Sequence, residues 1–191
     1  MKTRTALLLA LTSITGCSMT HGDPNHPRKN PHPVKLYEVI ATAEAPGPWD
    51  SVKGYVAYEV SNRRCVPRGS FTGSQNVPNV AFDFKMTRVD EKTWKGYFYG
   101  DLLQDEDYFG LGACHWHVTQ ASPVFSIHGK SFVLSSSMED VNPYTEYFKK
   151  SDFLDQSGKD DGYGTTLNDP EIAKHPDAFF PVTATVKEVT P

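Results

Sequence analysis

The sequence predicts a mainly β single domain, antiparallel and β-sandwich-like, with one disulfide and a short helical or loop insertion before the last strand. Three observations carry that expectation. Apolar residues recur with period two in several short runs; the joints between them are rich in glycine, proline, asparagine and aspartate; and two cysteines lie far apart in a chain that reads as exported. A lipocalin-like barrel is the competing architecture, ranked lower because eight evenly long strands are not visible.

Taken in order, 34–43 is rich in β-formers and is broken by Ala45-Pro-Gly-Pro. Val52, Val56, Tyr58 and Val60 then alternate with Lys53, Tyr55 and Glu59. A loop follows from Asn62 to Asn79, carrying Cys65 and turn signals at Pro67, Gly69, Gly73 and Pro78. Val80, Phe82, Phe84 and Met86 alternate with Asp83, Lys85 and Thr87, and a short Asp90-Glu-Lys turn leads to Trp94–Tyr99, which reads as a hairpin. In Asp105-Glu-Asp-Tyr-Phe-Gly-Leu-Gly-Ala-Cys114-His-Trp-His-Val118 a charged turn feeds a strand. Cys114, Trp116 and Val118 point to the core, His115, His117 and Thr119 point away, and Gly110 and Gly112 suit positive φ. Strands near 123–127 and at 132–135 come next. Asn142-Pro143 and Asp169-Pro170 each place a capping residue before proline, so each is expected to start a short helix. Between them, Ser157 to Gly164 is too polar and glycine-rich for core and reads as a long exposed loop. Phe180, Val182, Ala184 and Val186 form the inner face of a last strand.

The N-terminus explains the expectation of export. Lys2 and Arg4 precede a short apolar run, Ala6 to Leu11, that closes on Ser13-Ile-Thr-Gly-Cys17. The run is well below the roughly 20 apolar residues of a membrane-crossing helix. Ile14-Thr-Gly-Cys17 resembles the bacterial lipoprotein signal, with isoleucine where leucine is usual. That resemblance implies cleavage before Cys17 and lipid on the cysteine. Ser18, rather than aspartate, implies the periplasmic face of the outer membrane. An ordinary cleaved signal with an incidental cysteine is the other reading. The expected organisation is signal peptide over 1–16, lipidated flexible tether over 17–33, and one β-rich domain over 34–191.

Loss of Lys2 and Arg4 with the signal takes the net charge from −4 to −6. An acidic chain with no basic stripe is a poor nucleic-acid binder. Nor is there a polybasic run to reinforce the lipid, so attachment is expected to rest on Cys17 alone. With Cys17 lipidated, Cys65 and Cys114 are expected to pair in an oxidising compartment; two free thiols or a metal pair are the alternative.

Catalytic signatures are sparse. His115 and His117 share a strand face at a spacing some zinc sites use, but no third ligand is identifiable and surface histidines are the better reading. His21, His26 and His32 are irregularly spaced. Asp101 with Asp105 to Asp107, and Asp152, Asp155, Asp160 and Asp161, are carboxylate clusters without the EF-hand arrangement, so solvated acidic loops are expected. No nucleophile elbow or phosphate-cradling loop occurs. The expectation is therefore a non-enzymatic binding protein with no cofactor, no metal and no identified small-molecule substrate. Its candidate partner contacts are Asp105, Glu106, Asp107 and Tyr108 in the acidic turn and Tyr163 in the glycine-rich loop.

Asn62-Arg-Arg-Cys65-Val-Pro67, Phe82-Asp-Phe84, Tyr97-Phe-Tyr99 and above all Asp105 to Trp116 resemble a group of proteobacterial lipoproteins found beside type VI secretion effectors. The resemblance covers Leu36 to Val118 and leaves the region from Met138 onward unmatched. It implies an immunity lipoprotein that binds a cognate toxin, a lipase or another envelope-attacking enzyme, and it carries over no catalytic residues. A structural or assembly lipoprotein binding a resident envelope component is the alternative.

Overall fold

A computed structural model describes residues 21–135, 138 and 143–190; Cys17 lies outside them. Eight strands form one antiparallel sheet: β1 (Leu36–Ala43), β2 (Ser51–Val60), β3 (Asn79–Arg88), β4 (Thr93–Tyr99), β5 (Trp116–Ile127), β6 (Lys130–Val133), β7 (Tyr144–Lys149) and β8 (Phe179–Val189). Their order across the sheet is β6-β5-β2-β3-β4-β1-β8-β7. The expected class is present: mainly β, antiparallel, few helices, with a Cys65–Cys114 disulfide whose Cα atoms are 5.4 Å apart. The sheet coils until its two edge strands face each other, an arrangement between a sandwich and a nearly closed barrel. Phe132 of β6 and Phe148 of β7 stack edge to face with centroids 5.5 Å apart.

Alternation decides which side chains fill the interior. Val56 and Tyr58 of β2, and Phe180, Val182 and Ala184 of β8, are buried, as the period-two reading requires, and Val39, Ala41 and Ala43 of β1 are buried with the same alternation. Aromatic rings occupy much of the enclosed volume. Trp49, from the β1–β2 connection, lies 4.9–6.1 Å from the rings of Phe125, Phe132, Phe153 and Phe180. Ring centroids at these separations make favourable offset and edge-to-face contacts while burying large apolar areas.

Four expectations need correction. The strands expected near Cys114 and at 123–127 are one strand, β5, paired with β2 from Ser51↔Ser126 to Val60↔Trp116, with a register shift at Ala57/Tyr58. Pro123 is tolerated because β6 pairs only Val124 to Ile127 and so asks no hydrogen bond of it. Asn142, the expected cap, lies outside the described residues, and no helix starts at Pro143, which precedes β7, paired with β8 from Tyr144↔Ala184 to Lys149↔Phe179. The helical element follows β7 instead, as α1 (Lys150–Leu154). The Asp169 expectation holds: α2 (Pro170–Lys174) begins there, with the Asp169 carboxylate accepting from the Glu171 amide at 2.9 Å.

The third correction concerns the segment expected to be a tether. His21 to Pro33 runs along the domain: Asn30 N–H donates to the Leu102 carbonyl (2.7 Å), Gln104 N–H to the Arg28 carbonyl (2.9 Å), and the Asp101 carboxylate accepts from the amides of Val34 and Lys35. The polar, proline-broken composition did not prevent docking, because backbone groups rather than apolar side chains make most of these bonds. The fourth concerns 157–164, expected as a long exposed loop; 157–161 and Tyr163 are exposed as expected, but the segment is also tied to the sheet. Gly162 pairs in parallel with Phe132 of β6, and Thr165 pairs antiparallel with Tyr147 of β7, so this segment laces the seam between the two sheet edges. A Cβ on Gly162 would lie 2.2 Å from the Phe132 ring, which explains glycine at the crossing.

Register places everything else. Val60, Asn79, Tyr99, Trp116, Leu36 and Val189 mark one end of the strands, where the disulfide sits. Ser51, Arg88, Thr93, Ile127, Lys149 and Phe179 mark the other, which carries α1, α2 and the seam segment.

Candidate functional site

The acidic turn, expected to be a contact surface, is taken up by the protein itself. Asp107 Oδ1 accepts from the amides of Phe109 (3.2 Å), Gly110 (2.6 Å) and Leu111 (3.2 Å), and Oδ2 accepts from Gly112 (3.2 Å). Burial opposes its charge, but the four amides outweigh it and hold the carboxyl below its ordinary pKa. Gly110 and Gly112 supply the positive φ, 74° and 99°, that this wrap needs. Asp105 receives the Trp116 amide at 3.0 Å and lies 2.6 Å from His115 Nδ1. Glu106 is nearly covered and pairs with Arg28.

Tyr108 is only 4% exposed, so it is core rather than contact. Its hydroxyl donates to the Gln104 carbonyl (3.3 Å) and accepts from Trp116 Nε1 (3.0 Å). It packs with Val60, Cys65, Val66 and Cys114 in a second, smaller core under the disulfide. The turn therefore anchors the start of β5. The histidines expected on the polar face are there, with His117 Nδ1 2.8 Å from the Glu59 carbonyl. Among the described residues no three His, Cys, Asp or Glu side chains gather into a cation site.

Tyr163 is the sequence candidate that remains available, at 81% exposure. It stands between Gly162, whose amide donates to the Ser131 carbonyl (2.9 Å), and Thr165, which exchanges two backbone bonds with Tyr147 (2.8 and 3.0 Å). Both flanks are tied to opposite sheet edges, so the ring is held out on a braced backbone. Leu154 (63%) and Leu167 (65%) are exposed on the same stretch of chain. The sequence signal for Leu167 is a lone apolar residue in a polar run; Leu154 follows Phe153 and carries no such signal.

The bracing continues on both sides. Phe153 of α1 and Ile172 of α2 are buried, leaving Leu154 and the charged faces outward. Lys130, almost wholly buried at the start of β6, pairs with Asp155, whose carboxyl also accepts from the amide (3.0 Å) and hydroxyl (2.8 Å) of Ser157. The Lys130 ammonium, followed by those Ser157 bonds, holds the Asp155 carboxyl well below the usual range. Thr165 Oγ1 donates to Asp169 at 2.9 Å, joining the seam to the α2 cap. A concavity of about 310 Å³ opens among Lys149, Lys150, Glu171, His175, Asp177 and Phe179, between the two short helices.

This end offers exposed aromatic and aliphatic side chains on a fixed frame, beside a shallow mixed-charge hollow. Such a surface suits recognition of another macromolecule by shape and apolar contact. Comparison with protein-family models, with curated proteins and with solved structures finds no match for the chain, so this site is read from its own residues.

Proposed function

We propose that this chain is a lipid-anchored envelope protein that binds and inhibits a secreted antibacterial toxin, an immunity protein of the type VI kind, and that it does so through the insertion end. The resemblance over Leu36 to Val118 supplies the functional class; the burial of Tyr108 and the internal hydrogen bonds of the acidic turn favour Tyr163, Leu154 and Leu167 as the contact residues. The observation that carries the assignment is the seam. A tyrosine 81% exposed between two backbone crossings presents its ring from a fixed backbone, which lowers the backbone ordering cost of binding.

The anchor in this reading is acyl lipid on Cys17. Among the described residues no helix is long and apolar enough to cross a membrane. The test is affinity capture with the mature chain as bait in lysate of the source bacterium. Recovery of one secreted hydrolase near equimolar, lost when Tyr163→Ala and Leu154→Ser are combined, is the expected result. Recovery of resident envelope proteins, unaffected by that pair, would give the chain a structural role instead.

A further inference from the structure

We propose that the disulfide end of the domain is a second membrane contact, in which Arg63, Arg64 and Arg68 meet anionic phospholipid headgroups and Phe71 and Leu111 enter the interface. This rests on the reading of Cys17 as the lipidated residue.

His21 is already fixed to the domain, its Nδ1 3.2 Å from the Asp107 carbonyl and its ring 3.5 Å from where a Cβ on Gly110 would stand. Gly22 lies against Tyr108 and Glu106. Cys17 is four residues before His21, and four residues span at most about 14 Å when fully extended. Acyl chains on Cys17 therefore hold the Asp107 turn close to the bilayer, while the ten residues of β2 set the insertion end about 33 Å further along the strands. The docking of His21 to Pro33 is what makes this geometry: a free tether would have let the domain face any way.

The disulfide end also carries free positive charge and exposed apolar side chains. Arg63, Arg64 and Arg68 are exposed, and none forms an ion pair with a carboxylate among the described residues, although the chain has more acids than bases. Arg28, by contrast, pairs with Glu106. The three guanidiniums border one hollow of about 380 Å³ together with Val66, Pro67, Gln75 and Leu111. Leu111 follows Gly110, which stands beside His21, so the hollow adjoins the point where the chain leaves toward Cys17. Phe71 is wholly exposed (102%) at the tip of the same loop, and Leu111 is 53% exposed.

Unpaired arginines around exposed phenylalanine and leucine, held within reach of a lipid anchor, are the composition of an interfacial membrane contact. The three arginines lie within Arg63-Arg64-Cys65-Val66-Pro67-Arg68, too few for a polybasic run, and their loop is held by the Cys65–Cys114 disulfide and by Gln75 Nε2, which donates to the Arg63 and Val66 carbonyls at 2.8 and 2.6 Å. One acyl-anchored cysteine plus this contact would set both attachment and orientation.

Two measurements test the proposal, and a third separates it from its premise. In the full lipidated protein reconstituted in vesicles, Phe71→Trp should be quenched by phospholipids with brominated acyl chains and Tyr163→Trp should not. Equal quenching in the two variants, or none in Phe71→Trp, would overturn the proposal. The mature chain carrying Cys17→Ser should sediment with vesicles of phosphatidylethanolamine and phosphatidylglycerol, about three parts to one, at low salt, and not with phosphatidylcholine. Replacing Arg63, Arg64 and Arg68 together by Gln should weaken that binding on the order of 100-fold, from roughly fivefold per arginine. Vesicle binding unchanged in the triple variant, or loss of capture of an acidic partner protein instead, would assign the arginines to a protein interface and reject the lipid contact. Mass spectrometry of the N-terminal peptide settles Cys17 independently. An unacylated Cys17 would remove the anchor while leaving the Cys17→Ser vesicle result to stand or fall on the arginines alone.

Discussion

The two ends of this domain are built from opposite materials. At the disulfide end a covalent bond and a self-contained acidic turn create a small core of Val60, Cys65, Val66, Tyr108 and Cys114 beside the main one. At the insertion end there is no covalent tie; a polar, glycine-rich segment is fixed by backbone pairing to both sheet edges and by Lys130 on Asp155. Charge at the first end is directed inward on the acidic side and left outward on the basic side. At the second, apolar residues are left outward on a backbone that is hydrogen-bonded on either flank. A residue's character in the sequence therefore says little about whether it is available: Asp107 has four internal partners, while Tyr163 and Phe71 have open exposure.

The largest way to break this contrast is to remove the disulfide. Cys65→Ala with Cys114→Ala, or reduction, opens a 49-residue separation and is expected to lower stability by up to about 4 kcal/mol, seen as a large fall in Tm. Hydrogen exchange should rise first over 62–78 and 105–115. An unchanged Tm in the double variant would mean that the acidic turn alone holds that end.

Next in size is the seam. Gly162→Ala forces a methyl to within 2.2 Å of the Phe132 ring and is expected to cost about 1–3 kcal/mol by overpacking. Exchange should then rise over 155–169 while 105–115 stays protected, which would show the two ends to be independently fastened. Simultaneous loss of protection at both ends would refute that independence.

A smaller, pH-dependent effect belongs to the sheet between the ends. Glu38 on β1 contacts Lys95 Nζ (2.9 Å) and Lys187 Nζ (3.0 Å) and accepts from the Tyr97 hydroxyl (3.0 Å). The Lys95 and Lys187 contacts bring its pKa down to about 2 from 4.5. Because the folded carboxylate holds its proton less tightly than the unfolded one, this stabilisation is present above about pH 4.5 and is lost as the pH falls toward 2. Glu38→Gln should flatten the acid limb of a Tm-against-pH curve; an identical limb would assign the acid sensitivity elsewhere.

The smallest stability change is expected where the proposed function is greatest. Tyr163→Ala should alter unfolding free energy by less than about 0.5 kcal/mol, as surface substitutions do, yet weaken partner binding measured by titration calorimetry. Charge reversal at Asp105 should leave that binding unchanged, since the carboxylate is engaged with Trp116 and His115 at the other end. The reverse pattern would return the contact surface to the acidic turn.

What the sequence by itself determined is what local periodicity and chain chemistry can encode. The inner faces of β2, β3 and β8, the hairpin at Asp90, the positive φ of Gly110 and Gly112, and the α2 cap follow from residues close together, and the pairing of Cys65 with Cys114 is expected from the export reading of the N-terminus. β7 escaped because its inward positions carry Glu146 as well as Phe148, which breaks the apolar alternation; the Glu146 carboxylate is satisfied only in the fold, by the Tyr144 hydroxyl (2.9 Å) and the Ser135 amide (3.3 Å). Tertiary structure alone decided which polar segments were spent and which were displayed. The bonds that dock His21 to Pro33 and lace the seam at Gly162 and Thr165 are largely made by backbone groups, which every sequence contains alike, so only the close approach of distant strands could assign them.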